Sequence, residues 1–248
     1  MGKFFCLFLL VLPFQSSAQH KPVIYEQQSW LGYFPQVKLS KHWGLWFDSE
    51  IHTSDHYFNG FLQATFRVGG TYYNNKLNKF TVGYGFTDFF PGENHQYISI
   101  PEHFAWQQYQ WFNYFKKSKL MQWIRLEEKF KNDVIDNYTK ADTYKVTYKT
   151  RYNIYYQLPL NKKGIVPNSI ALATGDELYL YYGPQLQNHV FDQNRIFLGF
   201  SYQVNAHDNL VFGVMNIVQR DESGTQIKDN NVLKVSFFQN LGLFKRSE

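Results

Sequence analysis

The sequence predicts an all-β fold, an antiparallel transmembrane β-barrel of ten to twelve strands, with twelve preferred, preceded by a signal peptide. Three observations predict it. The 248-residue chain is 20% aromatic and 18% charged with a mean hydropathy of −0.44, which is too aromatic for a disordered chain and too polar for a bundle of membrane helices. Apolar and polar residues alternate with a period of two, as in half-buried strands. Short polar turns alternate with longer connections, which is the layout of an outer-membrane barrel.

The N-terminus has the three parts of a signal peptide. Lys3 supplies a positive charge, residues 4–14 form an apolar run, and Ser16 and Ala18 occupy the small positions before a cleavage site. The apolar run is shorter than the roughly 20 residues that a membrane-spanning helix needs. The sequence therefore predicts a signal peptide over residues 1–18 and one barrel domain over residues 19–248. Cys6, the only cysteine, lies in the signal peptide, so the mature chain is expected to have no disulfide and no cysteine-based metal site.

The clearest strand lies at residues 144–156. One parity is mostly tyrosine, valine and isoleucine, whereas the other carries Lys145, Lys149 and Arg151. Successive side chains of a strand point to opposite faces, so one face of this segment is apolar and the other basic. Alternation of this kind, sharp in some segments and weaker in others, predicts eleven strands: 27–39, 43–53, 62–72, 80–86, 103–115, 119–131, 144–156, 169–182, 193–204, 210–220 and 233–243.

The connections between these strands are of two kinds. Short turns centre on Lys41, Lys76, Ser118, Lys163 and His207, where the turn-forming residues asparagine, lysine, serine and glycine gather. The longer connections cover residues 54–60, 90–102, 132–142, 183–192 and 221–231. Because bacterial single-chain barrels have an even number of strands, we expect a twelfth strand or a lumen-crossing segment within residues 19–27, or else a weaker segment that is two strands or none.

Alternation also occurs in soluble lipocalin-like barrels, where the apolar face points inward around a ligand. Three features favour the membrane instead. Aromatic pairs lie at strand ends, the polar face carries large charged side chains, and the last strand ends at Leu243 and Phe244 near the C-terminus. A lysine or arginine facing lipid near the bilayer midplane would cost about 2–4 kcal/mol. We therefore expect the basic residues to face the lumen, and the soluble ligand-binding barrel remains the alternative.

Export and charge determine the expected partners. The net charge of +5 is mild and no lysine–arginine block is present, so nucleic acid is not expected as a partner. An exported barrel is expected in the outer membrane, in contact with its lipid and, during insertion, with the barrel-assembly machinery. No cofactor is expected.

Several segments, taken in order, carry a family resemblance. They are Leu39-Ser40-Lys41-His42-Trp43, Arg67-Val68-Gly69, Gly83-Tyr84-Gly85, Glu102-His103-Phe104-Ala105-Trp106-Gln107-Gln108, Arg125-Leu126-Glu127-Glu128-Lys129-Phe130, Asp176-Glu177 and Asn194-Arg195. On these segments the chain resembles the uncharacterised outer-membrane barrel proteins known as domain of unknown function twenty-four-ninety. It departs from them at Phe104 and Lys129, where arginine is expected, and in the tail 245–248. The resemblance implies an outer-membrane barrel and no assigned activity.

The polar parity supplies the candidate functional residues. Seven basic and two acidic side chains are predicted to line the lumen: Arg67, Arg125, Glu127, Lys145, Lys149, Arg151, Glu177, Arg195 and Lys234. They have two interpretations, which are compatible. Arginine–glutamate pairs can hold the barrel wall together, since small barrels fill their interiors with side chains. A basic lumen can also form a narrow passive channel that favours small anionic solutes.

A third possible function is that of an outer-membrane lipid-modifying enzyme. The sequence predicts instead that this chain is not an enzyme. Glu102 beside His103, with Ser99 nearby, is the most catalytic-looking group, but adjacent residues of a strand face opposite sides. His52, Asp55 and His56 are spaced for a metal on a helix, yet they fall where a strand meets a loop. The Gly83-x-Gly85 motif lacks a third glycine and a helix context, so these glycines are expected to mark bends or a close approach in the sheet.

Overall fold

A computed structural model describes residues 21–54, 56–92, 95–183, 190–221 and 224–243. Eleven strands form the regular structure of these residues. Among the same residues, no helix is long and apolar enough to cross a membrane. The strands are β1 (Val23–Lys38), β2 (Trp43–Thr53), β3 (Phe61–Tyr73), β4 (Asn78–Phe89), β5 (Ile100–Tyr114), β6 (Lys119–Val134), β7 (Lys140–Pro159), β8 (Ser169–Tyr182), β9 (Phe191–Gln203), β10 (Asp208–Arg220) and β11 (Ile227–Gly242). The predicted signal peptide and Phe244 lie outside the described residues.

The strands close into one barrel in sequence order. Ten neighbouring pairs are antiparallel, whereas β1 pairs with β11 in parallel, from Val23 opposite Ile227 to Lys38 opposite Gly242. The all-β barrel is thus as predicted, and each of the eleven predicted segments overlaps one strand, although several strands are longer than predicted. The preferred count of twelve is wrong, and so is the purely antiparallel pairing.

The parallel closure explains both errors. Strands that alternate in direction place the first and last strands parallel whenever their number is odd, and a parallel ladder can still satisfy their backbone groups. Residues 23–26 belong to the segment 19–27, for which a further strand or a lumen crossing was one of the expectations; they instead lengthen β1. An even strand number is a regularity of known bacterial barrels rather than a requirement of hydrogen bonding.

The two faces of the wall differ in chemistry. The outward parity is exposed and largely apolar along most strands, with Val68, Leu198 and Val214 each about half exposed at 47%, 53% and 55%. The inward parity carries the buried residues, many of them polar or charged. One apolar cluster lies inside the barrel around Trp30, Phe197 and neighbouring aliphatic residues, and a second consists of Trp46, Phe104 and Trp106.

Inward-facing glycines make room for the second cluster. A Cβ atom at Gly83 would overlap the carbonyl oxygen of Val68 and lie 2.7 Å from Trp106 Cε2. A Cβ atom at Gly85 would overlap the ring of Phe104, which is 2% exposed. The predicted close approach at these two glycines is therefore confirmed, and the approaching groups are bulky rings of β5.

Replacing Gly83 by alanine is expected to lower the free energy of unfolding by about 1–3 kcal/mol, the usual cost of overpacking. The added methyl group has to displace either backbone or the Trp106 indole. Gly70→Ala is the matched control, because no atom lies within 4 Å of a Cβ at that position. Urea unfolding, followed by tryptophan fluorescence, measures the free energy of unfolding of both variants. Equal stability of the two variants would contradict this packing.

Candidate functional site in the lumen

The nine residues predicted to line the lumen all lie on the inward parity. Each shares its parity with buried residues of the same strand, and Arg125, Glu127, Lys149 and Arg151 are themselves at most 8% exposed. They are distributed over the wall as Arg67 on β3, Arg125 and Glu127 on β6, Lys145, Lys149 and Arg151 on β7, Glu177 on β8, Arg195 on β9 and Lys234 on β11.

Most of these charges are paired at short range. Arg151 lies 2.8 Å from Glu127 and 2.6 Å from Glu177, so one guanidinium bridges carboxylates of β6 and β8. Arg125 lies 3.7 Å from Glu127, and its Nε donates to Gln108 Oε1 at 2.9 Å. Buried charges need such partners, because an isolated ion in a dry interior is strongly destabilising.

Four acids outside the predicted lumen set also face the lumen. Asp48 lies 2.7 Å from Arg67, Glu102 lies 2.5 Å from Lys129, and Asp192 lies 2.9 Å from Lys149. Glu50 is next to His52, at 3.5 Å. The acids of β2 share their parity with the buried Trp46, which is a signal that the sequence contains. Asp192 had been assigned to a connection, but it lies at the start of β9 beside a bulge.

Aromatic rings and arginines form a continuous stack across the lumen, which we call the lumen stack. Its members, in spatial order, are His52, Trp30, Arg195, Tyr179, Arg151, Trp123, Arg125 and Trp106. The His52 and Trp30 rings are stacked face to face, with centroids 3.7 Å apart and planes nearly parallel, at 2°. Each of the three guanidinium carbons lies 4.3–5.2 Å from the ring centroids on its two sides. Such cation–π contacts stabilise arginines that are removed from water.

The lumen stack bridges strands that are not neighbours. Arg195 on β9 reaches Trp30 on β1, past β10 and β11. At the other end, Trp106 on β5 packs edge-to-face on Trp46 of β2, with ring centroids 6.0 Å apart. Side chains therefore fill the middle of the barrel, as expected for a small barrel.

A cavity of about 240 Å³ extends from the lumen stack to the strand ends that carry the long connections. Trp30, Arg151 and Arg195 line its inner part, and Arg220 and Asp221 lie at its outer end. Its lining contains eight basic and five acidic side chains, an excess of three positive charges. The cavity is thus basic and polar, although less basic than the sequence predicted, because the additional acids offset part of the charge.

Comparison with models of protein families assigns the chain to a family. The model of a family described as Protein of unknown function (DUF2490) matches residues 27–228, which is most of the sequence. The chain belongs to this family. A search of curated proteins finds no match.

Phe104 and Lys129, the strand positions where the resemblance led us to expect arginine, both line this cavity. The Phe104 ring has Arg67 5.8 Å and Lys129 5.3 Å from its centroid. Lys129 also pairs with Glu102. The lumen of this DUF2490 member therefore carries a ring at position 104 and a lysine cation at position 129.

The catalytic-looking pair of this DUF2490 chain is divided by the barrel wall. Glu102 is 3% exposed and faces the lumen, whereas His103 is on the outward parity, where its Nδ1 lies 2.5 Å from the hydroxyl of Tyr84. The two side chains cannot act on one substrate. His52 belongs to the lumen stack, His56 lies in the loop after β2, and Asp55 is outside the described residues. In the part of the chain that the structure describes, no group of three histidine, aspartate or glutamate side chains is arranged to hold a metal ion.

Proposed function

We propose that this chain is an outer-membrane β-barrel that takes small anionic solutes into its basic lumen. The observation that carries the proposal is the division of the wall, apolar on its exposed face and charged on its buried face. An outward apolar band with a polar interior is the pattern of membrane barrels. It is the reverse of a lipocalin-like barrel, whose apolar parity surrounds the ligand.

Exposed aromatic residues at strand ends support the same placement. Trp43 at the start of β2 and Tyr114 at the end of β5 are 59% and 61% exposed. Amphipathic rings of this kind form girdles at the two membrane interfaces. Membrane lipid is accordingly the expected surrounding of the barrel, and the barrel-assembly machinery its expected partner during insertion.

The lumen itself favours anions. Positively charged linings select anionic solutes, and the cavity has an excess of basic side chains. The lumen stack fills the middle of the barrel, so passage beyond the cavity requires its rings and arginines to move apart. We therefore expect a narrow passage with low basal conductance.

Planar-bilayer recording of the refolded protein tests this proposal. We expect small, anion-selective currents from the wild type and larger ones from Trp106→Ala, because the indole of Trp106 fills space between Trp46 and Arg125. Trp43→Ala is the matched control, since Trp43 faces outward, and its currents should equal those of the wild type.

Three results would contradict the proposal. Cation selectivity would exclude a basic passage, and equal currents from Trp106→Ala and Trp43→Ala would show that the lumen stack does not limit passage. A protein that stays folded and monodisperse without detergent would favour the soluble barrel.

A further inference from the structure

The guanidinium of Arg195 is held in a fixed orientation at the inner end of the cavity. Its two faces are covered by the rings of Trp30 and Tyr179, with the guanidinium carbon 4.6 Å and 4.3 Å from the ring centroids. Its Nε donates to Gln193 Oε1 at 3.0 Å. These three contacts do not involve the two terminal nitrogens of Arg195, which are placed to donate two parallel hydrogen bonds to one ligand.

Arg195 differs from Arg67 and Arg151 in having no carboxylate at salt-bridge distance among the described residues. Arg67 and Arg151 each contact a carboxylate within 2.8 Å. Glu177 is opposite Arg195 in the strand register, but its carboxylate accepts hydrogen bonds from Arg151 instead. Among the residues that the structure describes, no carboxylate lies within 4.0 Å of Arg195, and its terminal nitrogens have no hydrogen-bond acceptor. Arg195 is also less buried than Arg125 and Arg151.

Other groups of the cavity wall also lack partners. The Tyr179 hydroxyl and Asn230 Oδ1, on side chains 2% and 4% exposed, have no hydrogen-bond partner in the described part of the chain. Both residues line the cavity that Arg195 lines. Buried polar groups are nearly always hydrogen-bonded in native proteins, so a polar molecule in the cavity that reaches these two groups would supply the partners they lack.

The remainder of the wall indicates what this molecule is. Side chains suited to hydroxyl groups also line the cavity, namely Gln63, Thr147 and Gln219. Thr65 and Thr87 line it as well, but their hydroxyls hydrogen-bond each other at 2.9 Å. The cavity, at about 240 Å³, is below the roughly 300–1,000 Å³ of drug-sized ligand sites, so the molecule is small. Because acids pair with several of the other cations, a single negative charge matches Arg195.

We propose that this cavity binds a small hydroxylated carboxylate, of the sugar-acid class, with its carboxylate on the two terminal nitrogens of Arg195. The site rests on the proposed function, an anion-accepting lumen, and names the class of solute. A planar carboxylate fits the arginine fork with two parallel hydrogen bonds. The Tyr179 hydroxyl and the surrounding hydroxyl and amide groups bind the hydroxyls of the solute.

The test is titration of the refolded protein in detergent with gluconate, glucose or inorganic phosphate, followed by tryptophan fluorescence, since Trp30 covers Arg195. Gluconate is expected to saturate the signal, glucose to leave it unchanged, and phosphate to bind more weakly than gluconate. Arg195→Gln and Arg195→Lys should each weaken gluconate binding about tenfold or more, as charge-assisted hydrogen bonds are lost. Lys145→Gln is the charge comparison, because it removes a positive charge from the same cavity without removing a guanidinium fork, and it should weaken binding less than either Arg195 variant.

Each contrary result overturns the site. Wild-type gluconate affinity in Arg195→Lys would show that the guanidinium fork is not needed. If Lys145→Gln lost as much gluconate affinity as the Arg195 variants, the binding would depend only on the total positive charge of the cavity. Binding of glucose equal to that of gluconate, tighter binding of phosphate, or no gluconate binding would exclude a sugar-acid site. If neither Arg195 variant folds, Tyr179→Phe decides, since it keeps the ring and removes the hydroxyl; unchanged binding there would overturn the site. Binding in detergent does not depend on conductance, so gluconate binding without current would reject the passage and leave this site intact.

Discussion

Replacing Glu127 by glutamine is expected to lower the free energy of unfolding by about 3–5 kcal/mol, the usual cost of removing one partner from a buried ion pair. The Glu127 side chain is 3% exposed and lies 2.8 Å from Arg151 and 3.7 Å from Arg125. After the substitution Arg125 keeps the amide of Gln108 and two aromatic rings, and among the described residues no carboxylate remains within salt-bridge distance of its buried charge.

The control for this variant is Glu26→Gln. Glu26 pairs with Lys228 at 3.0 Å, but the two side chains are 24% and 28% exposed. Water solvates both partners, so we expect a loss of about 0–1 kcal/mol. Chemical unfolding of the two variants beside the wild type, in the same micelles, gives the comparison. Similar losses in the two variants would mean that the lumen network is hydrated and does not hold the wall together.

Replacing Leu198 by arginine is expected to destabilise the protein by about 2–4 kcal/mol in lipid vesicles, if the middle of the barrel lies at the bilayer midplane as we propose. Leu198 is in the middle of β9, faces outward and is opposite Val214 in the strand register. An arginine there would be surrounded by hydrocarbon. In a soluble barrel the same substitution would be a surface change worth within about 0.5 kcal/mol.

The depth control is Leu241→Arg, which also faces outward but lies one residue before the end of β11. Near the interface the expected cost falls to about 0–1 kcal/mol. Unfolding free energies in vesicles measure both variants. A neutral Leu198→Arg, or equal costs at the two positions, would count against the membrane placement.

Strand positions and faces could be predicted from the sequence because they depend on local alternation. Lys149 and Arg151 are two residues apart, so they had to share a face whatever the rest of the chain did. The same argument separated Glu102 from His103 and correctly weakened that pair. The parity of Asp48 and Glu50 was equally readable, but β2 was a weaker pattern and its acids were overlooked.

Long-range partners could not be predicted in this way. Nothing in the neighbourhood of Arg195 indicates that Trp30, far away in the sequence and on a non-neighbouring strand, covers one of its faces. The pairing of Lys149 with Asp192 likewise depends on the bulge in β9. These contacts follow from the curvature and closure of the sheet, which place distant side chains in one confined volume.

The sequence by itself determined that this protein is a β-barrel whose wall has an apolar face and a charged face. The alternation of apolar and polar residues, with its period of two, is a property of each strand alone. Only the tertiary structure decided that eleven strands close through a parallel β1–β11 ladder. It also decided that most basic side chains of the lumen pair with acids and stack on aromatic rings. Among the described residues, Arg195 has no carboxylate within 4.0 Å. The physical reason is that parity specifies the direction of a side chain, whereas its partner depends on how the sheet curves and closes.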